Sequence, residues 1–184
     1  MFKYFTAALF IMIVFSGVSS AQIKLRSAGA YAAFGSLQGN SSAVTSYGLS
    51  ANLDAELWFT TEFFFRLSAV YGRDYRILIP EDRTGRNYPY QYAFTLKMMS
   101  WIPLTTRLLL EGGFGPAYIF DRTFPGKDEG GAGAALSAAL MLDLFDRWSG
   151  EKGFSLGPGL EYGLAFTGST PNYYNFYIGA SYSF

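Results

Sequence analysis

From Lys24 onward, apolar and polar side chains alternate with a period of two, the pattern of strands with one apolar and one polar face. Residues 175–184 show it most cleanly: Phe176, Ile178, Ala180, Tyr182 and Phe184 share one phase, and Tyr177, Gly179, Ser181 and Ser183 share the other. Interruptions of the pattern divide the chain into eight predicted strands, at 24–35, 47–57, 63–75, 90–100, 106–119, 131–145, 154–166 and 175–184. Polar loops are expected at 36–46, 76–89, 120–130 and 167–173, and shorter turns at 58–62, around Pro103, and at 146–153. The run AALSAALMLDLF in the sixth segment also fits a helix.

Charge follows the same alternation. The polar phase carries Arg26, Asp54, Glu56, Arg66, Lys97, Arg107, Glu111, Asp143 and Glu161, with Lys24 at its edge; the other charges stand in loops, turns or rims, and none lies within the apolar phase away from the rims. A charge facing lipid at the bilayer midplane costs about 2–4 kcal/mol, so this segregation is what a lipid-exposed apolar face requires. A soluble barrel with its apolar phase turned inward has the same period. The aromatic residues speak against it. Trp58, Trp101 and Trp148 stand at the predicted lower turns, and Tyr71, Tyr75, Tyr88, Tyr90, Tyr118, Tyr173 and Tyr174 stand near the predicted upper loops. Rings gathered at two levels suit two membrane interfaces.

Composition narrows the chemistry. Charged residues make up 15% of the 184 residues, against about 25% in average soluble domains. The formal net charge of zero gives no basic excess for nucleic acid. The chain has no Cys, which removes disulfides and thiolate metal sites. It also has no His, the commonest general base and metal ligand. At the amino-terminus, Lys3, the apolar run 4–18 and Ser19-Ser20-Ala21 form the three parts of a secretory signal. The apolar run is shorter than the roughly 20 residues a spanning helix needs. Residues 1–21 are therefore expected to be cleaved, leaving 22–184 as one domain.

The closing stretch, with alternate apolar residues and a final Phe184, resembles the last strand of bacterial outer-membrane β-barrels. The whole of 22–184 is similar in pattern to the small eight-stranded group that includes the OmpA transmembrane domain, OmpX, OmpW and the opacity proteins. The resemblance implies an all-β, eight-stranded, antiparallel up-and-down transmembrane barrel, monomeric, in the bacterial outer membrane. Its implied partners are outer-membrane lipid and lipopolysaccharide, the barrel-insertion machinery reading Phe176, Ile178, Tyr182 and Phe184, and an extracellular ligand at the loops. No cofactor is implied, and no soluble extension is expected after Phe184.

An eight-stranded interior is just wide enough to be filled by side chains, and buried charges persist when paired. The nine polar-phase charges named above are therefore expected to form a salt-bridged plug in the lower half. Small residues dominate the upper half, where Ala30, Gly48, Ser68, Gly113, Gly115, Ala135 and Gly163 would line an outward-opening pocket. Alternatively, loops or water fill that space, or the glycines serve sheet curvature. Pro116 and Pro158, on either side of the sixth strand, each remove a ladder hydrogen bond and mark a candidate lateral gate. The barrel enzymes of this membrane depend on a His that this chain lacks, and pairs such as Asp54/Glu56 are read as plug, so no catalysis is expected. Two functions remain: a structural or adhesin-like role through the external loops, and binding and lateral transport of a small apolar molecule.

Overall fold

Eight antiparallel strands pair in sequence order, and β1 returns to β8, so the sheet closes without an edge. The computed structural model describes residues 24–39, 42–57, 60–78, 88–123 and 127–184. The strands are β1 (Lys24–Gln38), β2 (Val44–Leu57), β3 (Thr60–Asp74), β4 (Tyr90–Pro103), β5 (Leu108–Thr123), β6 (Lys127–Asp143), β7 (Gly153–Ala165) and β8 (Asn172–Ser183). The segment that also fitted a helix is strand β6. The expected signal peptide, Trp58, and the loop charges Glu81, Asp82, Arg83 and Arg86 lie outside the described residues.

The two faces settle which phase is inside. On the outer wall Leu49, Leu67, Phe94, Phe114, Leu136 and Ile178 are exposed by 52–67%. Within, Arg66, Lys97, Asp54 and Asp143 are 4% exposed or less. A barrel with a wet exterior would invert that arrangement. A hydrocarbon exterior accounts for it, and the fold is an outer-membrane-type β-barrel.

One irregularity resets a phase. A β-bulge lies between Leu25 and Ser27, where β1 pairs with β2. The extra residue turns both Arg26 and Ser27 inward, and from there Tyr31 is inside while Ala30 is exposed. Ala30 is thus on the outer wall and does not line the interior.

Several ends differ from the sequence reading. The expected loop 120–130 is mostly ladder, because β5 and β6 pair out to Thr123 and Lys127. This extension carries Arg122 onto the outer phase of the upper rim and Asp121 onto the inner one. Below, the β6–β7 connection contains a short 3-10 helix, Arg147–Ser149, capped by Asp146, which accepts from the Trp148 amide. Trp148 is exposed there, and Trp101, expected in a turn, lies on the half-buried inner phase of β4. Tyr173, expected in the upper belt, is buried inside.

Candidate functional site: the packed lumen and its rim

The interior is built in layers by strand register. In the lower layer Asp143 accepts from Nε and one Nη of Arg147, at 2.7 and 2.9 Å, and from the Ser155 hydroxyl at 2.6 Å. Arg26 places its guanidinium 4.4 Å from the centre of the Phe64 ring and 5.5 Å from that of Trp101. Glu56 meets Lys24 at 3.4 Å near the opening, where the Lys24 side chain is 74% exposed. Arg107 belongs to none of this. It lies in the exposed turn between β4 and β5, so the plug residue expected there is corrected; Arg147, from the opposite turn, is the cation that reaches inward.

The central layer exists because Asp54, Arg66 and Lys97 are register neighbours on β2, β3 and β4. Arg66 donates from Nε to Asp54 Oδ1 at 2.8 Å, and from one Nη to Asp54 Oδ2 at 2.8 Å and to Glu111 at 3.0 Å. Ser27, turned in by the bulge, also donates to Asp54 at 2.7 Å. Lys97 donates to Glu161, whose other oxygen accepts from the Tyr173 hydroxyl at 2.7 Å. Among these buried charges Arg66 is paired with Asp54 and Glu111, Lys97 with Glu161, and Asp143 with Arg147, as burial demands.

Above it the lumen is filled by residues the sequence reading passed over. Tyr31 and Tyr177 pack with ring centroids 4.8 Å apart. A Cβ added at Gly179 would overlap the Tyr31 ring, one at Gly159 the Tyr177 ring, and one at Gly163 the Tyr173 ring. Ala135 lies in an apolar cluster with Leu37, Val70, Ile119 and Tyr173. Gly48, Gly113 and Gly115 are inward, and a Cβ at each would run into a carbonyl of the neighbouring strand. These glycines serve ring seating and tight curvature. A cavity of about 10 Å³ lies near the top, against Leu37, Val70, Gly72, Ala93, Tyr173 and Asn175. It has room for roughly one water, and none of the seven expected lining residues borders it.

Just above, Gln91 donates to the Gln38 carbonyl at 2.9 Å and to Asp121 at 3.1 Å, joining β1, β4 and β5 across the mouth. Beside the mouth, Arg76 forks onto buried Asp74, with a shortest contact of 2.6 Å, and that bond raises the guanidinium above its ordinary range. Between the mouth and the ion pairs, Asn52 Nδ2, Ser68 Oγ and Thr95 Oγ1 are buried without a hydrogen-bond partner. They are register neighbours on β2, β3 and β4.

Two prolines interrupt the ladders of the wall. The β4–β5 ladder runs from Thr95↔Ala117 to Met98↔Phe114, skipping Gly115-Pro116, and the β6–β7 ladder runs from Ala139↔Gly159 to Leu142↔Leu156, skipping Gly157-Pro158. Each proline keeps its other neighbour, Pro116 opposite Ala134 and Pro158 opposite Ile178. The weakened seams are therefore β4–β5 and β6–β7, and the β5–β6 seam beside Pro116 is intact. Phe176, Ile178, Tyr182 and Phe184 all project to the outer wall, where Tyr182 packs on Phe154 and Phe184.

No family model matches the chain, and no curated protein sequence does either. Among solved structures it is similar to Neisserial surface protein A, with a TM-score of 0.68 and 9% identity, over 86% of this chain and 96% of that one. It is also similar to Ail, the attachment invasion locus protein of Yersinia pestis, with a TM-score of 0.56 and 12% identity, over 88% of this chain and 99% of that one. A second Ail structure, in complex with the heparin analogue sucrose octasulfate, gives 0.55 and 13% over 88% and 99%. The fold is thus that of the small eight-stranded outer-membrane barrels.

Proposed function

We propose that this chain is a bacterial outer-membrane protein with a structural and surface-contacting role, acting through the face it presents at the upper mouth. In this reading residues 1–21 are a cleaved export signal and 22–184 the monomeric, non-catalytic barrel. One observation carries it. The lumen is obstructed at three heights, by ion pairs, by tyrosine rings and by the Gln91 bridge at the mouth, which leaves the outside as the working surface. The Ail complex with a heparin analogue makes a polyanionic glycan a reasonable first probe of that surface.

The test is binding of bacteria displaying the barrel to immobilised heparin and to host-cell surfaces, with residues 79–87 replaced by a short Gly-Ser linker. Loss of binding with retained folding supports the reading; unchanged binding removes these residues as the contact. The two ladder interruptions favour a second reading, lateral passage of a small apolar molecule. Under it, Pro116→Ala and Pro158→Ala reduce apolar-solute uptake into vesicles. Unchanged uptake in both would discard it.

A further inference from the structure

The uppermost outward row of the β3–β6 wall alternates ring and cation. Register places Arg73 opposite Tyr90, Tyr90 opposite Arg122, and Arg122 opposite Asp128. One row toward the membrane the same strands carry Tyr71, Tyr92 and Phe120. Tyr71 and Tyr92 pack at 5.0 Å, Tyr90 and Tyr92 at 5.4 Å, and Tyr118 and Phe120 at 4.7 Å. Guanidinium groups directly above an aromatic belt stand at the level of lipid headgroups, where a charge costs little and an anion is at hand.

The two arginines are held rather than loose. Arg122 donates to the Tyr90 hydroxyl at 2.8 Å and lies 5.5 Å from the centre of its ring. Arg73 is hydrogen-bonded to Tyr71. Asp128 approaches Arg122 only at 3.6 Å, with side chains 69% and 49% exposed, a pairing too wet to consume the cation. Two strand spacings separate Arg73 from Arg122, about 10 Å at the backbone. They flank Tyr90 on its two sides in the register. The opposite side of the rim has no counterpart, because residues 36–46 and 166–175 contain no charged side chain.

We infer that Arg73, Tyr90 and Arg122 form a site on the outer wall for the phosphate of a lipid A headgroup. A phosphate monoester brings up to two negative charges and several acceptor oxygens to two guanidinium forks. A phosphodiester brings one negative charge, and the ammonium of phosphatidylethanolamine is repelled. This inference rests on the outer-membrane reading, since it needs the upper rim in a leaflet containing lipid A.

The test is native mass spectrometry of the mature barrel. The probes are bis-phosphorylated lipid A, the same lipid enzymatically dephosphorylated, and phosphatidylglycerol. The wild-type barrel is expected to retain bis-phosphorylated lipid A at least about tenfold better than either control, and Arg73→Gln/Arg122→Gln to abolish that preference. Equal retention of the dephosphorylated lipid, or an undiminished preference in the double variant, would overturn the site. Equal retention of phosphatidylglycerol would overturn the choice of lipid A. The wild-type comparison stands even if the double variant folds poorly. Protease protection in vesicles is read in parallel: failure to insert counts against the membrane reading, whereas insertion without selectivity counts against this site alone.

Discussion

Lys97 is 1% exposed at the centre of a barrel wall, and Glu161 with Tyr173 is what keeps it there. Removing one member of such a pair strands the other, which costs about 3–5 kcal/mol, whereas replacing both by neutral groups of similar shape is often neutral. Lys97→Met is therefore expected to lower the stability of the folded barrel by that amount in urea titrations from detergent. Lys97→Met/Glu161→Gln should recover most of the loss. Thr95 gives the opposite expectation. Its buried hydroxyl has no partner, so Thr95→Val, which keeps the shape, should leave stability unchanged or raise it by up to about 1 kcal/mol. A loss of more than that would show that the hydroxyl is bonded in the folded state.

At the scale of elements, the seam between β1 and β8 depends on a ring set into a groove. The Tyr31 ring occupies the space a Cβ at Gly179 would need. Gly179→Val should therefore force Tyr31 out and destabilise by about 1–3 kcal/mol, and Gly179→Val/Tyr31→Ala should fold better than the single change; the heat-dependent gel shift of the folded barrel reads both. The same seam shows what the sequence made legible. Strand count and the outward phase of β8 follow from the alternation of apolar and polar residues, and the up-and-down order from the resemblance to small outer-membrane barrels. The phase of β1 does not, because SAGAYAA has small residues on both phases and a bulge exchanges them without a visible break. The pairs Asp54–Arg66 and Lys97–Glu161 join residues sharing the polar phase, but pairing across the lumen depends on register and shear, which period two leaves open. Arg107 misled because a turn residue adjacent to a strand continues its phase on paper; Arg147 was missed because its helix turn folds back inward. The inward glycines looked like empty volume because what fills it comes from other strands: the Tyr173 ring at Gly163 and backbone carbonyls at Gly48, Gly113 and Gly115.

For the whole molecule, balance of charge and packing gives a barrel whose interior is a core and whose exterior is a solvent-like boundary to lipid. The apolar wall, the ion-pair layer and the bridged mouth are consequences of one inversion, polar residues inside and apolar ones outside. The absence of cysteine from the chain makes the closed lumen directly testable. Thr95→Cys and Ser137→Cys, both buried on the inner phase, are placed singly in the barrel, inserted into vesicles and exposed to a charged, water-soluble thiol reagent. A closed lumen predicts that neither position reacts until the barrel is unfolded. Rapid labelling of both in the folded barrel would mean a water-filled passage through the centre, and would contradict a lumen sealed by its own side chains.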